Sequence, residues 1–180
     1  MAKKNSNHHD LTKLPTFDPK DKTLVNVIVE TPRGSRNKFA YDDEMGVIRL
    51  KKVLPPGMDF LYDFGFIPST KAADGDPLDA LLLMDEPAHP GTLMRCRLVG
   101  IIEGRQTEGK NSERNDRLLA VSEHSLQYAG IKDAKDLDNK LLKSLEDFFV
   151  NYHALDKETF KFLGCKGAKQ ARKALEKTRR

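Results

Sequence analysis

The chain has no tryptophan and only two cysteines in 180 residues. Those two, Cys96 and Cys165, stand far apart and form no Cys-x-x-Cys spacing. That excludes a disulfide scaffold and a cysteine zinc site; they read as reduced thiols, one of them buried in a strand. No apolar run approaches the roughly 20 residues that span a bilayer. The first ten residues carry no apolar signal core, so a cytoplasmic location is expected. No internal repeat and no low-complexity segment is present. His8, His9, His89 and His124 show no metal-ligand spacing, and a lone His153 reads as a surface or structural residue.

Hydrophobic residues make up 38% of the chain and charged residues 32%, which suits one globular domain with a real core. Residues 1–22 are polar, hold Pro15 and Pro19, and read as an arm before a single domain over 23–180. The net charge of +4 suggests nucleic acid at first sight, but its distribution argues against it. Residues 166–180 alone contribute +6, leaving −2 for the remainder. With no aromatic residues interleaved to stack bases, this basic stretch reads as a solvated helix face.

Apolar alternation predicts strands over 23–30, 38–42 and 47–53, the last two joined as a hairpin through Asp42-Asp43-Glu44-Met45-Gly46. Shorter strands are predicted near 64–67, 78–84, 92–103 and 117–122. The 13 polar residues 104–116 read as a loop long enough to suspect function. The period then changes. Leu137, Leu141, Leu142, Leu145, Phe148, Phe149 and Tyr152 lie on one face of an amphipathic helix. A short strand over 160–164 and a helix over 168–177 follow. Strands first and helices last indicate a β-rich α+β fold.

The most informative segment is Asp74-Gly75-Asp76-Pro77-Leu78-Asp79, three carboxylates within six residues, in front of the apolar run Ala80-Leu81-Leu82-Leu83. Gly75 and Pro77 mark a turn feeding a buried strand. Unit charges about 4 Å apart repel by roughly 1 kcal/mol in water and by several times more in a shielded cleft. Such a block therefore reads either as a site for a hard cation, Mg²⁺, Mn²⁺ or Ca²⁺, or as a solvated surface turn. An EF-hand fits poorly, because its sixth and twelfth positions, Gly and Glu, are Asp79 and Asp85 here.

This block, preceded by Phe64-Gly65-Phe66-Ile67-Pro68-Ser69-Thr70, resembles the signature of the soluble (family I) inorganic pyrophosphatases. Glu30-Thr31-Pro32-Arg33-Gly34-Ser35 with Lys38-Phe39, then Arg95-Cys96-Arg97-Leu98-Val99-Gly100, Leu118-Leu119-Ala120-Val121 and Phe148-Phe149-Val150-Asn151-Tyr152, are similar to that family in the same order. The resemblance runs over roughly residues 24–175. It implies a small closed OB-like β-barrel with helices packed outside, and Mg²⁺-dependent hydrolysis of pyrophosphate, with Mn²⁺ a possible substitute. By the same resemblance Asp74 and Asp79 hold metals, Glu30 reaches one through water, and Asn115 or Asp116 supplies a further oxygen, with Glu108 another candidate. Asp76 is implied as the residue that deprotonates or orients the attacking water. Lys38, Lys52, Arg117 and Tyr152 are implied to bind phosphate. A bacterial-type member of this length is expected to be a hexamer.

The chain departs from the family pattern at Ala40, Lys52, Phe60, Phe64, Gln106, Asn115, Arg117 and His153. Taken singly, each basic residue reads equally as surface charge, and Tyr152 equally as helix packing. Two other functions therefore stand beside the first: a non-catalytic OB-like module that binds nucleotide or nucleic acid, and a hydrolase of a larger phosphoanhydride.

Overall fold

The computed structural model describes residues 10–73 and 75–179. Among them it contains nine strands and two α-helices: β1 (Val25–Thr31), β2 (Asn37–Asp42), β3 (Val47–Val53), β4 (Asp63–Ile67), β5 (Leu78–Leu83), β6 (Leu93–Glu108), β7 (Asn111–Arg114), β8 (Arg117–Ser122), α1 (Asn139–Ala154), β9 (Thr159–Gly167) and α2 (Ala168–Thr178). The fold is α+β and sheet-dominated, with both α-helices in the C-terminal part. Neither is long and apolar enough to cross a membrane.

Seven strands form one sheet in the order β1-β4-β5-β8-β6-β7, with β9 also on β6. β1 pairs with β6 as well as with β4, so the path of pairings returns to its start. β2 and β3 form a separate hairpin. All sheet pairings are antiparallel except β5 with β8, which run parallel with Ala80 beside Leu118 and Leu83 beside Val121.

The unbroken apolar runs of β5 and β8 follow from burial on both faces. Leu81, Leu83, Leu119 and Val121 pack in one core with Leu145, Phe148 and Phe149 of α1. Leu78, Ala80, Leu82, Leu118 and Ala120 pack in a second core with Ala171 and Leu175 of α2. α1 begins two residues later than its apolar face. Asp138 caps it by accepting the Lys140 N–H at 2.8 Å, and Leu137 instead closes a short 3₁₀ turn over Ala134–Asp136.

The expected loop over 104–116 is not a loop. β6 continues to Glu108, and β7 pairs back on it with Arg105 opposite Arg114 and Glu108 opposite Asn111. Gly109 makes the turn at a φ of 56°, in the left-handed region. β9 lies along the same stretch, pairing from Gly100 opposite Gly167 to Thr107 opposite Thr159, and supplies hydrogen bonds that the polar side chains give no hint of. Residues 10–22 lie against the domain. The Asn26 N–H donates to the Thr16 carbonyl at 2.8 Å, and Phe17 bridges to Val25.

β1 and β4 approach closely at Gly65, which pairs with Val29. A Cβ at position 65 would stand 1.9 Å from the Ile28 carbonyl oxygen, a contact that only backbone movement could relieve. Gly65→Ala is therefore expected to cost ~3 kcal/mol or more, at the severe end of single substitutions. Urea or thermal unfolding reads this directly; a parental midpoint would mean that the two strands are not this close.

Candidate functional site

The parallel register of β5 and β8 builds the centre of the site. With Ala80 beside Leu118, the preceding residues Asp79 and Arg117 stand side by side, on the face covered by α1. Arg117 is 3% exposed, and its Nε lies 3.9 Å from the Asp79 carboxylate. The guanidinium sits 4.1 Å from the centroid of the Phe149 ring and 5.0 Å from that of Phe160. Its Nη1 donates to the Asn115 carbonyl at 3.1 Å, and its Nη2 lies 3.2 Å from His153 Nε2.

That contact settles the histidine tautomer. A guanidinium has donors only, so Nε2 must accept and Nδ1 must carry the proton. Nδ1 then donates to Glu158 Oε2 at 2.9 Å. Burial holds the His153 pKa below its ordinary value, opposed by the Glu158 hydrogen bond and reinforced by the nearby Arg117 charge. Glu158 Oε2 also accepts from Gln106 Nε2 at 2.7 Å, and Gln106 Oε1 accepts from Asn115 Nδ2.

A cationic group comes from the β2–β3 hairpin. Its register sets Lys38 directly opposite Lys52. Like charges so paired repel across a ladder. Here both ammonium groups lie over one ring, that of Tyr152, at 5.2 and 4.2 Å from its centroid. Lys52 also pairs with Asp156. Tyr152 is buried, which pushes its hydroxyl pKa up, with Lys52 pulling the other way.

An acidic group comes from β1 and from the connection between β4 and β5. Val29 pairs with Gly65 but Thr31 with Phe64, so Glu30 is the extra residue of a β-bulge. Bulges re-aim a side chain in this way, often beside active sites. Glu30 accepts the Tyr41 N–H at 2.7 Å. Its carboxyl pKa is raised to about 7, chiefly by burial and further by the Asp79 and Asp76 charges. Asp76 is exposed in a turn whose ends are tied by Thr70, which donates to the Ile67 carbonyl at 2.6 Å and accepts the Leu78 N–H at 2.8 Å.

These groups meet in one cleft of about 690 Å³. Glu30, Asp76 and Asp79 line it together with Asn115, and so do Lys38, Arg117 and Tyr152. Lys52 reaches the site through the Tyr152 ring. Asp116 does not line this cleft, but it shares the adjoining cavity with Asp79 and Asn115. Its carboxylate accepts from the Gly104 N–H at 3.0 Å and pairs with Arg114 at 2.8 Å, beside a neighbouring cavity of about 420 Å³. Glu108 is exposed at the tip of the β6–β7 hairpin. Asp74 lies outside the described residues. Among the described residues no three His, Cys, Asp or Glu side chains are grouped as an ion site. Sequence reasoning gave His153 no role and passed over Glu158. The one available signal was spacing: His153 follows Phe149 by four residues, on the buried face of α1.

A family model described as inorganic pyrophosphatase matches residues 27–180. The chain belongs to the inorganic pyrophosphatase family. It is 37% identical over 157 residues to an inorganic pyrophosphatase of Synechocystis sp., covering 87% of this chain and 89% of that one. It is 35% identical over 170 residues to the Thermus thermophilus protein of the same name, covering 94% of each. The crystal structure of the Thermus thermophilus inorganic pyrophosphatase superposes with a TM-score of 0.85 at 33% identity, over 93% of this chain and 95% of that chain. The Helicobacter pylori inorganic pyrophosphatase superposes with a TM-score of 0.80 at 29% identity, over 88% and 92%.

In this member of the inorganic pyrophosphatase family the oxygen donors at the cleft are of the kind a hard metal ion takes. Glu30, Asp76 and Asp79 offer hard oxygen atoms to one cleft. Both aspartates raise the Glu30 pKa, a mutual repulsion that a bound cation would offset.

Glu30 keeps its proton in the folded protein up to about pH 7, whereas in the unfolded chain it ionises near its ordinary value of 4.5. Its contribution to stability is thus full below pH 4.5 and is lost as the pH rises through about 7. Glu30→Gln keeps the acceptor for Tyr41 and removes the titration. In chelator it is expected to match the parent near pH 4.5 and to exceed it at pH 8 by ~3 kcal/mol, or about 6–12 °C in Tm. Equal Tm differences at the two pH values would contradict this.

Proposed function

We propose that this protein is a metal-dependent inorganic diphosphatase that hydrolyses pyrophosphate to two orthophosphates. The observation that carries the reading is the meeting, in one cleft, of a carboxylate group from β1 and the β4–β5 connection with a cationic group from β2, β8 and α1. A phosphoanhydride hydrolase needs both: ligands for a metal, and positive charge for phosphate oxygens. A non-catalytic barrel has no use for clustered carboxylates.

Asp74, Asp79 and Glu30 are the proposed metal ligands, with Mg²⁺ the expected ion and Mn²⁺ a substitute. Asn115 is preferred to Asp116 as the further oxygen donor, because it faces the cleft while the Asp116 carboxylate is committed to Gly104 and Arg114. When bound, the metal lowers the pKa of a water and draws charge from the phosphate oxygens. Asp76, exposed at the cleft, takes the proton of the attacking water. Lys38 and Lys52 neutralise phosphate oxygens as point charges, and Arg117 offers a planar fork. The Tyr152 hydroxyl, kept protonated by burial and held beside Lys52, donates a hydrogen bond to phosphate.

The same reading extends to architecture and setting. The returning path of pairings through β1, β4, β5, β8 and β6 is taken as an OB-like barrel. A cytoplasmic homo-oligomer, a hexamer by family resemblance, is proposed.

Orthophosphate should be released from pyrophosphate only in the presence of a divalent cation. Full activity in excess chelator would overturn the mechanism. Asp76→Asn should lower kcat by about 10²–10⁴-fold, as loss of a general base does, while metal affinity measured by calorimetry changes little. Ala40 lines the cleft where family members place a glutamate. Ala40→Glu should therefore lower the Mg²⁺ concentration giving half-maximal rate. No shift, or one the other way, would mean that position 40 is not part of the metal site.

A further inference from the structure

His153 and Glu158 belong to a chain of hydrogen bonds that closes on Arg117 through the covalent frame of Asn115. It runs from Arg117 Nη2 to His153 Nε2 at 3.2 Å, and from His153 Nδ1 to Glu158 at 2.9 Å. From Glu158 it returns through Gln106 Nε2 at 2.7 Å and the Gln106–Asn115 side-chain amide pair, and then through Asn115 itself, whose backbone carbonyl accepts from Arg117 Nη1 at 3.1 Å. One member, the guanidinium, can only donate. Another, the Glu158 carboxylate, serves as the acceptor for both of its partners. Every group between them is therefore fixed in direction. The imidazole must present its bare nitrogen to Arg117. The Gln106 amide must turn its NH₂ toward Glu158 and its oxygen toward Asn115. The Asn115 amide must give its NH₂ to Gln106, which leaves its oxygen as the acceptor at the cleft.

We infer that Glu158, acting through His153 on one arm and Gln106 on the other, is the positioning residue that sets the orientation of the Arg117 guanidinium and the Asn115 amide. The inference rests on the proposed hydrolysis of pyrophosphate for its kinetic consequence, but not for the ring itself. The ring is assembled from two distant stretches of the chain: α1 brings His153 and the connection before β9 brings Glu158, while β6 brings Gln106 and β8 brings Arg117. It is well enclosed, since Arg117 is 3% and His153 4% exposed. A buried guanidinium held from both sides is fixed in its plane, which is what a planar phosphate clamp requires.

The test pairs kinetics with a spectroscopic reading that needs no substrate. In ¹⁵N spectra of the full-length protein, the His153 ring should carry its proton on Nδ1; a proton on Nε2 would overturn the inference. His153→Gln keeps an acceptor for Arg117 and a donor for Glu158, so KM for pyrophosphate should stay within about threefold of the parent. His153→Leu keeps bulk but neither bond, and should raise KM by about tenfold or more. Glu158→Leu should do the same, and the double variant no more than either alone, because all act through one ring. A merely structural role would reduce the active fraction, hence kcat, and leave KM unmoved. Unchanged KM in His153→Leu, equal losses in His153→Gln and His153→Leu, or additive effects in the double variant would each overturn it. Should His153→Leu fail to fold, the tautomer and His153→Gln still decide. A parent protein that hydrolyses no pyrophosphate would refute the proposed function, while the tautomer would still report on the ring.

Discussion

A guanidinium that cannot lose its proton is buried at the junction of β5 and β8, and most of the site follows from the need to compensate it. Leaving such a charge unpaired in the interior is among the costliest arrangements a fold can contain. The parallel register answers first, by setting Asp79 beside Arg117. α1 answers next, laying Phe149 over the guanidinium and offering His153 from the following turn. The α1–β9 connection and β9 complete the enclosure with Glu158 and Phe160. Moving any of these elements by one residue would strand the charge. The same constraint that fixes the packing of α1 and β9 therefore fixes the chemistry of the cleft.

Two further clusters are unfavourable in themselves and point to the ligand. Lys38 faces Lys52 across the hairpin, and Glu30 is held among Asp76 and Asp79 in surroundings that keep its proton on to about pH 7. Neither arrangement helps the unliganded chain. Under the proposed function each becomes favourable when the opposite charge arrives: a phosphate for the lysines, a cation for the carboxylates. Pyrophosphate carrying a metal ion satisfies both at once. The departures Gln106 and Asn115 remove negative charge from the same cleft, and Gln106 with His153 joins the ring that holds Arg117.

Much of this was legible in the amino-acid order. The aspartate block, the lysine of β2, the apolar runs of β5 and β8 and the amphipathic face of α1 are local patterns, and local patterns follow from the two- and 3.6-residue periods of backbone geometry. Residues 104–116 show where such reading stops. Their side chains are polar in either conformation, and the segment is a strand because β7 and β9 supply its hydrogen bonds.

The sequence by itself determined the class of fold, the family, and which residue types could serve metal and phosphate, because those depend on composition and short-range order. The tertiary structure alone decided three things. The β-bulge turns Glu30 toward the cleft. The register of β5 against β8 sets Asp79 beside Arg117. Glu158 and Gln106, 52 positions apart, are joined in one ring with His153. Each depends on where two distant strands or helices come to rest against each other, and that is settled by packing and backbone pairing, which no residue encodes alone.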